Sequence, residues 1–108
     1  MKLSKIYRRA ALEVEKSGPN WIYGQSQVGD HQGACWGILE ACWALSCQDL
    51  EAEALSRFAR TFKPRHRFDA DYWFGAVIGA PTEVLLRNRE YRVLALLLMA
   101  EIMEGEEA

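Results

Sequence analysis

Apolar side chains recur at helical spacing from the start of the chain. Ile6, Tyr7, Ala10 and Val14 fall on one face, with Arg8, Arg9, Glu13 and Lys16 turned to the other. This predicts an amphipathic first helix with Ser4 as its N-cap. Gly18 and Pro19 stop it. The next stretch, NWIYGQSQVGDHQG (20–33), has three glycines and no helical period. It reads as a long loop, with at most a short extended piece at Trp21–Tyr23.

A second helix is predicted from Asp30 or Gln32 to Cys47, and it is apolar almost all round. Cys35, Leu39, Cys42 and Ser46 share one side, flanked by Trp36 with Trp43 and by Ile38 with Leu45. Gly37, Glu40, Ala44 and Gln48 lie opposite. So small a polar face places this helix in the middle of the protein, and its small residues admit a neighbouring helix closely. A third helix begins near Asp49, with Leu55, Phe58 and Phe62 as its buried stripe and Pro64 as its end. A polar connector (63–71) follows. YWFGAVIGAP (72–81) reads either as a short helix capped by Asp69 or Asp71 or as an irregular aromatic segment. The last helix starts at Pro81 or Asn88 and runs to Glu104, with Tyr91, Leu94, Ala95, Leu98 and Ile102 inward. Gly105 ends it, and 103–108 is an acidic tail expected to fray. The sum is one all-α domain over 1–108: a small orthogonal bundle of four to five helices around a buried central helix, with one long Gly-rich loop. Its expected core includes Trp36, Leu39, Cys42, Trp43, Phe58, Leu94 and Leu98.

Composition sets limits on this picture. The 108 residues are 50% hydrophobic and 26% charged, with net charge −2. No global basic field draws the chain to nucleic acid or to anionic lipid. No apolar run approaches the roughly 20 residues of a membrane span. Lys5, Arg8 and Arg9 interrupt any leader-like segment at the start. A soluble cytoplasmic protein is expected, with no membrane partner. The three cysteines are an odd number. Cys35 and Cys42 would stand about 10 Å apart along a helix, too far for a disulfide. All three read as free thiols.

Candidate chemistry is sparse. His31 and Cys35 at i and i+4 have the spacing of two zinc ligands, but Cys42 is two turns away and no CxxC pair occurs. Buried thiols are the better reading, so no metal or cofactor is expected. Cys35 lies near a helix start and His31, an environment suited to a nucleophile, yet no oxyanion-hole signature surrounds it. His66 with Asp69 and Asp71 has the residue types for acid–base hydrolysis, although carboxylates before an apolar run more often cap a helix. Gly24, Gly29 and Gly33 lack the Lys and Ser/Thr of a phosphate loop. The chain reads as no enzyme.

Basic residues beside aromatics are the stronger lead. FKPRHRF (62–68) sets Lys63, Arg65, His66 and Arg67 between phenylalanines, and RNREYR (87–92) adds Arg87, Arg89 and Arg92. Such groups grip an acidic protein surface or, alternatively, phosphates and bases of nucleic acid or a nucleotide. Trp21 and Tyr23 on the glycine-rich loop are a further candidate surface. The over-apolar VLALLLMA (93–100) is either wrapped by other helices or leaves a stripe for a second copy, a homodimer.

The order IYRRAALEVEKSG, an aromatic loop, CWGILEACWAL, YWFG and REYRVLALLLMAEIMEGEE resembles small helical accessory proteins of tailed bacteriophages and prophages. The resemblance covers most of the chain as a pattern of helices, without a catalytic signature. It implies a non-enzymatic protein of the host bacterial cytoplasm that binds and modulates or inhibits a bacterial host protein, defence proteins included. It carries no functional residue over.

Overall fold

The computed structural model describes residues 1–16, 32–61 and 89–108. Among the described residues it is all-α, a small bundle of helices without strands. α1 spans Leu3–Lys16, α2 Gln32–Ala44, α3 Glu51–Thr61 and α4 Arg89–Glu107, with a 3-10 turn at Gln48–Leu50 leading into α3. The Gly18–Pro19 stop, the loop at 20–31, Phe62, Pro64, the connector 63–71, the segment 72–81 and the start of the last helix at 81–88 lie outside the described residues.

α1 forms where the periodicity placed it. Ile6, Tyr7, Ala10 and Val14 are fully buried, joined by Ala11. α1 packs most extensively of all, first against α4 and then against α2. Its two neighbours use different means. Against α4, which runs antiparallel, the ends are pinned by polar contacts. Ser4 lies in the first turn of α1, and its hydroxyl donates to Glu107 Oε1 at 2.6 Å while its backbone N–H donates to Oε2 at 3.2 Å. The expected local N-cap is therefore replaced by a carboxylate more than a hundred positions away in sequence, set where the helix dipole favours negative charge. Arg8 pairs with Glu104 one turn further along, and Arg89 Nη1 donates to the Glu15 carbonyl in the last turn of α1.

Against α2, α1 makes a close approach through small residues. A methyl group on Gly37 would sit 2.6 Å from Val14 Cγ2 and 3.1 Å from the Ala10 carbonyl oxygen. Only a hydrogen fits there. Ala34, Gly37, Ile38 and Ala41 form the face that follows from this contact, all of them buried. The expectation of a tightly approached α2 holds at Gly37, whereas Ala44, grouped with it, is exposed. Trp43, expected in the core, is instead 65% exposed. The reason is angular: Trp43 is nine residues beyond Ala34, about 180° round the helix at 100° per residue. Burying the small-residue face turns Trp43 to water, and it leaves Trp36 and Leu39, also expected in the core, only partly buried.

α2 also ends earlier than Cys47. Ser46 adopts φ 55°, and the chain reverses with Ser46 N–H to Trp43 O at 3.1 Å and Cys47 N–H to Cys42 O at 2.8 Å. This is the paired-bond helix terminus with a left-handed residue, here serine rather than glycine. Asp49 accordingly sits inside the 3-10 turn, and Glu51 and Glu53 occupy the first turn of α3. Phe58 is fully buried as expected, next to Ala54. Tyr7 Oη donates to the Ala54 carbonyl at 2.7 Å, tying α1 to α3 inside the core.

α4 differs from its expected phase by one residue. Arg92, Ala95, Leu96, Met99, Ala100 and Met103 are buried along with Leu98, whereas Leu94 is 47% exposed. The helix does not stop at Gly105, and the tail does not fray. Its glutamates are occupied: Glu104 by Arg8, Glu106 by Arg57 and Glu107 by Ser4. Partners on α1 and α3, which the local sequence does not reveal, hold the last turn.

Candidate functional site

The expected binding residues divide sharply. Trp21, Tyr23, Lys63, Arg65, His66, Arg67 and Arg87 lie outside the described residues, as do Asp69, Asp71 and the His31 side chain. Arg89 and Arg92 are described; Arg92 is buried, and Arg89, partly buried, bonds the end of α1 at the surface. Arg89 serves the C-terminal turn of α1, where unpaired carbonyls and the helix dipole favour a cation. Arg92 is 5% exposed, and a side chain on Gly33 would overlap its guanidinium. Its expected place among the partner-gripping residues of RNREYR is therefore corrected. Its long stem packs over the start of α2, which bears no side chain at position 33.

The thiols are interior. Cys35 and Cys42 are buried on α2, and Cys47 is buried just past its end. Burial pushes the Cys35 thiol up to about 12, because no water stabilises a thiolate there. Burial is also the main cause that raises Cys42 to about 11, with the Cys47 thiol and the Glu51 and Asp49 carboxylates adding to it. Both stay protonated at neutral pH. That removes the support for Cys35 as a nucleophile, which requires the thiolate. Among the described residues, no three His, Cys, Asp or Glu side chains come together as metal ligands, and no helix is long and apolar enough to cross a membrane.

What the fold does present is Trp43. Its indole Nε1 donates to Glu51 Oε1 at 2.8 Å, so the ring is held at the corner where α2 gives way to α3. Half-buried Trp36, Leu39 and Glu40 continue the same outward side of α2. From position 32 to 56 the chain carries Glu40, Asp49, Glu51 and Glu53 and no lysine or arginine. The corner thus combines an anchored aromatic face with negative charge, suited to a cationic side chain laid over the ring. The sequence held a signal for this. Ala34, Gly37 and Ala41 are a small-residue line at helical spacing, and the face opposite such a line is the outward one.

No protein family, curated protein or solved structure matches this chain.

Proposed function

We propose that this chain is a non-enzymatic protein-binding module whose partner is a bacterial protein, modulated or inhibited by the contact. The single observation that carries the reading is Trp43: a large aromatic left in solvent, fixed by Glu51, inside an acidic stretch. Tryptophan is the residue type most often energetically dominant in protein interfaces, and a pre-oriented one loses little entropy on binding. The acidic surround favours a partner segment rich in arginine or lysine. The resemblance to small phage accessory proteins supports a bacterial host protein, with the host cytoplasm as the place of action. Lys63, Arg65, His66, Arg67, Arg87, Trp21 and Tyr23 constitute a second surface of this proposal. Arg92 leaves it because it is buried, and Arg89, bonded to the Glu15 carbonyl at the surface, stays beside it.

Three tagged proteins passed over a bacterial lysate test it: the native chain, Trp43→Ala, and the double variant Arg65→Ala/Arg67→Ala. Captured proteins are identified by mass spectrometry and re-bound in purified form. Trp43→Ala is expected to lose the purified partner at least tenfold, with its melting temperature preserved, as for other exposed substitutions. Loss only in the arginine double variant would move the site to the connector. Undiminished binding by both variants would refute the assignment of either surface. Retardation of a mixed-sequence oligonucleotide that falls steeply with salt would replace protein binding by nucleic-acid binding.

A further inference from the structure

The turn that ends α2 places two cysteines together. In an unbroken helix, residues five apart are separated by about 7.5 Å along the axis and point in different directions. Here the left-handed Ser46 folds the chain back. The 2.8 Å bond from Cys47 N–H to Cys42 O sets the first residue past the turn over the last turn of the helix. Two apolar side chains commonly meet at that position. In this chain they are Cys42 and Cys47, both in the hydrophobic core. Cys35 is two helical turns before Cys42, roughly 10 Å away along the axis, and cannot compete.

We infer that Cys42 and Cys47 form a reversible dithiol–disulfide site whose reactant is a low-molecular-weight disulfide. Cys47 reacts first. It lies at the rim of the core between Ser46 and Gln48, both exposed, and opening of this one turn brings it to water. Its thiolate attacks one sulfur of the small disulfide. A protein–small-molecule mixed disulfide forms, and the other half leaves as a thiolate that takes up the proton Cys47 lost. The Cys42 thiol, brought to water by the same opening of the turn, attacks the Cys47 sulfur as it loses its proton, and that proton goes to the second half, which is expelled as a thiol. Two electrons pass from the protein dithiol to the small disulfide, and two small thiols are released. The resulting ring encloses Trp43 and Ser46, so oxidation staples the turn that carries the exposed indole. The chemistry stands whether or not that indole binds a partner.

The test treats the folded native protein with excess oxidised glutathione, quenches it in acid, alkylates it under denaturing conditions and maps the peptides by mass. A link between Cys42 and Cys47 with loss of two hydrogens is expected, with Cys35 alkylated and the link reversed by dithiothreitol. Cys35→Ser should give the same link. Cys47→Ser should give no internal link, its fold being checked by circular dichroism; were it unfolded, the native and Cys35→Ser maps decide by themselves. Alkylation of all three cysteines after the treatment, a link through Cys35, or a glutathione adduct on Cys47 that never closes would each overturn the inference.

Discussion

Ser46 and Gly37 show how much a single backbone position decides here. Ser46 holds a left-handed conformation, φ 55°, that costs a side-chain-bearing residue about 1–2 kcal/mol relative to glycine. Part of that gain is lost again because glycine makes the unfolded chain more flexible. Ser46→Gly is thus expected to stabilise the fold by about 0.5–1 kcal/mol, read as a higher denaturant midpoint at constant slope. An unchanged or lower midpoint would mean that the turn is not as described. Gly37 is the reverse case. Its added methyl would meet a backbone oxygen and a valine whose rotamer is stiff in a helix. Gly37→Ala should cost about 1–3 kcal/mol despite alanine's better helix propensity, because α1 and α2 must separate. A substitution there without loss of stability would contradict the close approach.

Between elements, polar contacts at the ends of α1 complement apolar packing along its length. The Glu107 carboxyl is held below its ordinary value, first by the Ser4 hydroxyl, with Ser4 and Leu3 N–H groups and the Lys2 charge assisting against partial burial. A carboxylate depressed in the folded state stabilises above its unfolded value, near 4.5, and this contribution is lost as pH falls through the folded value. Hydrogen-exchange protection at residues 3–7, taken relative to the intrinsic rate at each pH, should therefore fall on acidification in the native protein. In Glu107→Gln that protection should already be low at neutral pH and change less. Equal acid responses in the two proteins would dissociate Glu107 from the cap. Tyr7 provides the inner link, from α1 to α3, through its 2.7 Å bond to the Ala54 carbonyl. Tyr7→Phe keeps the ring and removes the bond, with an expected loss of about 1 kcal/mol measured by chemical denaturation.

Across the whole molecule, several acidic groups are buried in their neutral forms. Burial raises Tyr7, and it raises Cys35 to about 12 and Cys42 to about 11. In the unfolded chain the thiols release protons near 9.0 and the phenol near 10.0. Above those values the unfolded state binds fewer protons than the native one, so stability falls as pH rises. The denaturant midpoint should be steady around neutrality and decline from pH 9.0 upward through the folded values. A midpoint that stays level through the alkaline range would mean that these groups reach water. Leu94 bears on assembly at this scale. It is 47% exposed on α4, a position at which self-association can be tested. Light scattering that shows a concentration-dependent dimer, lost in Leu94→Glu, is the outcome expected of such a face; a monomer at every concentration would exclude it.

The helical class and the inward stripe of α1 were legible from the sequence alone. So were the burial of Phe58 and Cys42 and the free state of all three thiols. These follow from local periodicity and spacing, since a helix with one apolar face has one way to hide it. α2 and α4 are apolar on more than one side, and periodicity then leaves their rotation open. The tertiary structure settled it. Gly37 against Ala10 and Val14 fixed the phase of α2 and sent Trp43 outward, while the packing of α4 in the bundle buried Arg92 over Gly33 of α2 and exposed Leu94. The same contact brought Glu107 to Ser4 and gave the last turn its partners. Close approach and end-to-end charge are properties of pairs of helices, so no single segment could have declared them.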